Sequence, residues 1–128
     1  MCLETVTQVM DPFEPNSSVI GYKVRHEDGR CLFPFSNYDP RIAKEGEVHA
    51  RVIHPKIKTC MGNYPVGFHS FTTLEGAEYY NALYNLIVYR IWQVRCIGIL
   101  ALGRQLNCDV IVSDKIEWLR KLDSLIRE

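Results

Sequence analysis

The sequence has no net charge and no long uninterrupted apolar run, and each absence excludes a class of function. Fifteen acidic and fifteen basic residues cancel, so no basic surplus is available for a general electrostatic grip on nucleic acid or an anionic membrane. The most apolar stretch, residues 86–102, is broken by Arg90, Gln93 and Arg95, whereas a membrane-spanning helix needs about 20 mostly apolar residues. We therefore expect neither general nucleic-acid binding nor membrane insertion. Near-zero charge favours self-association, and we expect a homo-oligomer.

Cysteine pairing is also lacking. The five cysteines are odd in number and include no Cys-x-x-Cys pair. Cys31 and Cys96 lie in apolar runs, where a reduced thiol behaves as a small hydrophobic group. This usage predicts free thiols in a reducing cytoplasm. No apolar N-terminal segment follows a basic start, so we expect no signal peptide.

Motifs for metal, phosphate or nucleophilic chemistry are missing as well. The sequence has no Gly-x-x-x-x-Gly-Lys-Ser/Thr or Gly-x-Gly-x-x-Gly loop. Among histidines and cysteines, His54 with Cys60 is the nearest approach to a ligand pair. A triad of Ser70, His69 and Asp114 would have no nucleophile elbow behind it. We expect no metal, no cofactor and no catalytic residues, so that enzymatic activity is an alternative and not the leading interpretation.

The 128 residues predict one domain, 1–128, organised around residues 63–86. Turn residues there precede a short strand around His69. Thr72-x-x-Glu75 then forms a capping box, which begins a helix. This stretch predicts a strand that leads directly into a helix near 73–86.

Most of the remaining chain alternates apolar and polar residues with period two, which predicts strands. The predicted strands are residues 1–10, 19–26, 30–35, 47–53, 87–97 and 109–112. We expect the chain to turn at 98–103. Ile116, Leu119 and Leu122 recur at helical spacing, which predicts a C-terminal helix near 114–127. The expected fold is α+β: a twisted, mainly antiparallel sheet with one central helix and a C-terminal helix.

Several side chains are suited to a ligand with a flat base and phosphates. Aromatic rings stack on the base, amides hydrogen-bond to its edge, and guanidinium groups bind phosphate oxygens. The candidate ligand-binding residues are Lys23, Arg25, His69, Phe71, Asn81, Arg90 and Arg95. Each also has an ordinary role. Lys23 and Arg25 share one strand face, which is typical of a solvated surface, and a histidine such as His69 commonly bonds a backbone carbonyl. Both interpretations stay open from the residues alone.

Six segments carry a resemblance to a known group of proteins. They are residues 1–7, 21–24, 33–35, 64–77, 94–96 and 112–116. In these segments the chain resembles small proteins encoded by bacteriophages and prophages, and the Tyr-Pro-x-Gly-Phe-His-Ser-Phe unit is the most specific part. Such proteins often antagonise host immunity. One class, the anti-Thoeris sponges, holds cyclic ADP-ribose signals in pockets formed by oligomers. A looser similarity to ADP-ribosyltransferase half-barrels lacks the expected late-strand glutamate.

The resemblance implies a phage anti-defence protein in the host cytoplasm. We expect it to sequester a small anionic, nucleotide-type signal, such as cyclic ADP-ribose, without catalysis. One alternative is an inhibitor that binds a host defence protein, as anti-CRISPR proteins cover a nuclease. A second alternative is an atypical nucleotide-processing enzyme.

Overall fold

The computed structural model describes residues 3–12, 14–26, 44–51, 59–60, 64–83 and 89–122. These residues form eight strands and one helix. In chain order they are β1 (Thr5–Val9), β2 (Ser18–His26), β3 (Val48–Ala50), β4 (Thr59–Cys60), β5 (Tyr64–Pro65), β6 (Phe68–Phe71), α1 (Leu74–Leu83), β7 (Tyr89–Gln105) and β8 (Cys108–Lys121). The strand pairings in this part of the chain are all antiparallel.

The long hairpin of β7 and β8 is the centre of the fold. Its strands have 17 and 14 residues and pair from Trp92 opposite Lys121 to Gln105 opposite Cys108. Leu106 and Asn107 connect them with φ angles of 54° and 62°. A two-residue turn with both φ angles positive matches the right-handed twist of the strands that it joins. The hairpin therefore continues through the region 98–103, with a register shift between Ile99 and Ala101, where the sequence predicted a turn.

The other strands pair along the two outer edges of this hairpin. β1 and β2 pair with β7, while β6 and β3 pair with β8. Tyr22 of β2 pairs with Phe71 of β6, which closes a ring of four strands in the order β2, β7, β8, β6. Two register shifts between β7 and β8 add the local bending and twist that such closure requires. β4 and β5 form a separate two-stranded sheet.

Buried apolar side chains form two clusters, because β7 and β8 bury residues on both of their faces. The tryptophan cluster consists of Phe68, Trp92, Val94, Cys96, Ile111, Ile116 and Trp118. The helix-side cluster consists of Leu3, Val24, Tyr64, Phe71, Ala77, Tyr80, Ile91, Leu100, Ala101, Val110 and Val112. Ala77 and Tyr80 belong to α1, so this helix covers the second cluster. One face of the four-stranded ring is thus covered by α1, and the opposite face, which we call the tryptophan face, carries the tryptophan cluster.

The predicted central helix near 73–86 is present as α1, and the antiparallel sheet is confirmed. The predicted C-terminal helix near 114–127 is wrong, because β8 extends to Lys121. Ile116 and Trp118 are both fully buried at a spacing of two, opposite Cys96 and Val94 of β7. Pairing with a long neighbouring strand overrode the helical spacing of the apolar residues. The fold is therefore mostly β and not α+β with two helices.

Some predicted elements lie outside the described residues. The strand at 30–35 is one of them, and so are the ends of the elements predicted at 47–53 and 114–127. Strands predicted at 1–10, 19–26, 87–97 and 109–112 overlap β1, β2, β7 and β8.

Gly67 is the residue through which the β5–β6 connection approaches β8 most closely. A Cβ at this position would lie 2.6 Å from the Ser113 carbonyl oxygen and 2.9 Å from Leu100 Cδ1. We expect Gly67→Ala to lower the free energy of unfolding by about 1–3 kcal/mol, because the methyl group overpacks the site. Val48→Thr, at a residue that is 52% exposed, serves as the control and should change stability by less than about 0.5 kcal/mol. Urea unfolding measures both values, and equal stability of the two variants would contradict this packing.

Candidate functional site

The register of β2 and β7 gathers three of the predicted basic residues on the tryptophan face. Lys23 is directly opposite Trp92, and Arg25 is directly opposite Arg90. Directly opposed residues of an antiparallel pair project to the same side, with Cβ atoms about 4.5–5.5 Å apart. Residues two apart in one strand also share a face. We call Lys23, Arg25, Arg90, Trp92 and Trp118 the cationic face.

Arg25 is the most deeply placed of the three cations. Its side chain is fully buried, and its Cζ lies 4.7 Å from the centroid of the Trp118 ring. A guanidinium over an indole is attracted by the negative face of the ring, most strongly where water is excluded. The Trp118 ring in turn meets that of Trp92 edge to face, with centroids 5.5 Å apart and planes at 76°. The guanidinium therefore packs on Trp118, and Trp92 packs on Trp118 in turn.

Lys23 joins this face to β6. Its Nζ donates a hydrogen bond of 2.8 Å to the carbonyl oxygen of His69 and lies 6.0 Å from the ring centroid of Phe68. The side chain is half-buried, like that of Arg90. The two half-buried cations therefore retain partial access to solvent, while Arg25 does not.

Arg25 and Arg90 place two positive charges opposite each other on neighbouring strands. Like charges in such cross-strand pairs repel. Lys23 lies on the same face, so three basic side chains come together there in a chain that has no net charge.

The two indole N–H groups differ in their hydrogen bonding. Trp118 Nε1 donates to His49 Nδ1 at 3.1 Å. Trp92 is only 5% exposed, and no described residue offers an acceptor to its Nε1. A buried donor without an acceptor costs about 1–3 kcal/mol. The donor of Trp92 thus stays unpaired among the residues that the structure describes.

His69 lies on the helix-covered side, in a chain of hydrogen bonds. The Leu3 backbone N–H donates to Tyr64 Oη at 2.7 Å, and the Tyr64 hydroxyl lies 2.9 Å from His69 Nε2. His69 Nδ1 lies 3.1 Å from the Gly67 carbonyl oxygen. Since a carbonyl only accepts, Nδ1 carries the proton and Nε2 accepts from the tyrosine. Burial, aided by the charge of Lys23, lowers the pKa of His69 to about 3, so the imidazole is neutral.

Phe71 and Asn81 lie in the helix-side core and not on the cationic face. Phe71 is 1% exposed, and its ring centroid is 5.4 Å from that of Tyr80. Asn81, on α1, is also buried. Because His69 and Phe71 alternate along β6 with Phe68 and Ser70, the pleat sends the two pairs to opposite faces. His69 and Phe71 therefore lie on the face of β6 opposite to Phe68 and Ser70, although the four residues are consecutive in the sequence.

Arg95 is on the outer surface. It is five positions from Arg90 on β7, so it projects to the other side of the strand. Its Nε donates to Glu117 Oε1 at 3.1 Å, and the two residues are directly opposed in the β7–β8 register. A partly exposed ion pair of this kind contributes little to stability, about 0–1 kcal/mol.

The structure therefore divides the seven predicted residues into three groups. Lys23, Arg25 and Arg90 lie together, His69, Phe71 and Asn81 pack on the helix side, and Arg95 is a surface ion pair. Sequence reasoning missed the two tryptophans as site residues. The spacing of Arg90 and Trp92 was the available signal, since residues two apart in a strand share a face.

The surroundings of Cys96 do not activate its thiol as a nucleophile. It is fully buried in the tryptophan cluster. Burial raises the pKa of its thiol, although the hydroxyls of Ser70 and Ser113 and the charge of Lys23 act in the opposite direction. A reactive cysteine needs the thiolate, which a raised pKa disfavours.

The buried neutral state of His69 makes a pH-dependent prediction. Its pKa is lower in the folded than in the unfolded state, so protonation favours unfolding. Full stability is expected above the unfolded value of 6.5, with losses as the pH falls toward 3. At pH 5 we expect a loss of about 2 kcal/mol relative to pH 7.5. Urea unfolding of wild type and His69→Gln at both pH values isolates this contribution, and an equal pH dependence of the two proteins would contradict it.

Comparison with known proteins adds no family assignment. No protein-family model, no curated protein and no solved structure matches this chain. In the described part of the chain, no three histidine, cysteine or acidic side chains converge as a metal site would require. No helix found in those same residues combines the length and the apolar character needed to cross a bilayer.

Proposed function

We propose that this protein binds and sequesters a small anionic, nucleotide-type ligand on the cationic face, without chemical turnover. The observation that carries the proposal is the direct opposition of Arg25 and Arg90 beside two indole rings. In the cell, the protein would act as a phage-encoded antagonist of host defence signalling, and a signal such as cyclic ADP-ribose is the type of ligand that we expect.

The basic side chains of the face fit such a ligand. Guanidinium groups have a planar fork of N–H donors that matches the oxygens of a phosphate group. The Trp118 ring lies against the Arg25 guanidinium and holds it in place by a cation–π contact. Because both indole rings are buried, they position the basic side chains and do not themselves face a ligand.

Two features of the described residues support binding rather than catalysis. His69 has a neutral imidazole whose two nitrogens are both engaged in hydrogen bonds. Cys96 is buried with a raised pKa, which disfavours the thiolate. Neither group is suited to act as a general base or a nucleophile near neutral pH.

A second candidate is a protein-binding inhibitor, and one surface favours it. Tyr79 and Leu83 on α1 are 52% and 51% exposed and lie four residues apart, hence on one side of the helix. Exposed apolar side chains on one helix side are typical of contact with another protein. The same surface is where we propose that copies of this chain would meet in a homo-oligomer.

Small-molecule mass spectrometry tests the leading proposal. The protein is purified from cells with active immune signalling and denatured by heat, and we expect intact nucleotide in the supernatant. Arg90→Gln should reduce the amount retained by about 10- to 100-fold, because it removes one charge-assisted contact of about 1.5–3 kcal/mol. Arg95→Gln is the matched control and should retain the wild-type amount, since Arg95 pairs with Glu117 on the other side of the strand.

The alternatives give different results in the same preparation. Chemically altered nucleotide would indicate an enzyme, and a stoichiometric host protein without nucleotide would indicate an inhibitor. Equal retention by Arg90→Gln and Arg95→Gln, with thermal unfolding of both unchanged, would exclude the cationic face as the binding site.

A further inference from the structure

Strand β1 forms one outer edge of the six-stranded sheet. It pairs with β7 on one side and stands at the end of the strand order β1-β7-β2-β6-β8-β3. No strand in the described part of the chain pairs with its other side. The backbone N–H and C=O groups along such an edge can accept a further strand. β1 therefore offers an unpaired edge to a partner with extended backbone.

The side chains of β1 do little to protect this edge. The strand has the sequence Thr-Val-Thr-Gln-Val, without charge, proline or glycine, and four of its five residues are exposed. Edge strands are commonly protected by charged residues, by proline or by very short length. The strand at the other end of the order, β3, has only three residues and is flanked by Glu47 and Arg51. β1 has neither of these protections.

A second copy of the chain fits the edge without electrostatic cost. When two β1 strands overlap fully in antiparallel pairing, Thr7 faces Thr7 of the other copy, and the nearest charged residue, Glu4, faces Met10. Like charges opposite each other destabilise a strand pair, and none meet here. The second copy also brings an edge that is already held extended by β7, so that no flexible segment has to be ordered on binding.

Two features limit the strength of such a contact. The register shift between Val6 and Gln8 leaves Thr7 as an extra residue, and a bulge of this kind bends the edge. In addition, a strand of five residues buries less surface than the roughly 1,200 Å² at the lower end of stable interfaces. The contact is therefore expected to be weak and to depend on protein concentration.

We propose that two copies of this chain pair antiparallel through the outer edges of β1, about a two-fold axis near Thr7. The sheet of one copy then continues into the sheet of the other. This contact is separate from the α1 surface, and it does not depend on a ligand, so it goes beyond the proposed function.

Analytical ultracentrifugation of the full chain tests the contact. Every sample carries Leu83→Glu, which removes association through the α1 surface, and this variant is the parent. We expect the parent to form dimers as its concentration rises. Thr7→Lys and Thr7→Glu should each weaken dimerisation about 5-fold or more, because like charges then face each other. An equimolar mixture of the two should dimerise at least as well as the parent, because opposite charges face each other.

Val48→Lys is the matched control, since Val48 is exposed on the other outer strand, β3. It should leave dimerisation unchanged. Concentration-dependent ¹⁵N amide spectra of the parent provide a readout that needs no substitution in β1, and the signals of Thr5–Val9 should move.

A parent that stays monomeric at every concentration would overturn the proposal. The same holds if the parent dimerises while the β1 amide signals stay still, or if mixing the two charged variants restores nothing. Binding of another protein's extended segment to β1 of a monomeric parent would assign the edge to that partner instead. None of these results alters the nucleotide-release test of the cationic face.

Discussion

The pairing of β7 and β8 along both of their edges is the constraint on which the rest of the structure depends. Each strand has a partner on its inner and its outer edge, and the contact between Tyr22 and Phe71 closes the ring. A strand that is paired on both edges cannot slide in register without moving every neighbour. Side chains on β2 and β7 are therefore held opposite each other in one fixed order, which is what brings Arg25 to Arg90.

This arrangement buries polar groups on both faces of the ring. Arg25 is fully buried against Trp118, and the N–H of Trp92 is buried without an acceptor among the described residues. Apolar side chains of similar volume commonly replace buried charges without loss of stability. On the opposite face the polar atoms of Tyr64 and His69 bond each other and the backbone. Buried polar atoms that have no partner among the described residues lie on both faces: Trp92 Nε1 on the tryptophan face and Asn81 Oδ1 on the helix side.

Local patterns in the sequence predicted much of the sheet and one helix. Alternation marked β2 and part of β7, and the Thr72-x-x-Glu75 pattern indicated a helix start in the right region. The capping side chain, however, is that of Thr73, whose Oγ1 accepts a hydrogen bond of 3.0 Å from the Gly76 N–H. The prediction failed at Ile116, because three- and four-residue spacing of apolar residues also occurs in a strand that is buried on both faces. The turn predicted at 98–103 was wrong because both glycines lie within β7. Gly103 lets the backbone of β1 approach closely at Thr5, and Gly98 adopts a positive φ of 70°.

The sequence by itself determined which residues of each strand share a face, that the chain has no net charge, and which basic and aromatic side chains are present. Which of those side chains meet was decided by the tertiary structure alone, because strand register is a long-range property: Arg25 and Arg90 are 65 positions apart and become neighbours only through the β2–β7 pairing. The same pairing places Lys23 opposite Trp92, whereas Arg95 lies on the other side of β7. Period-two alternation shows that residues share a strand face, but it does not show which strand lies beside it.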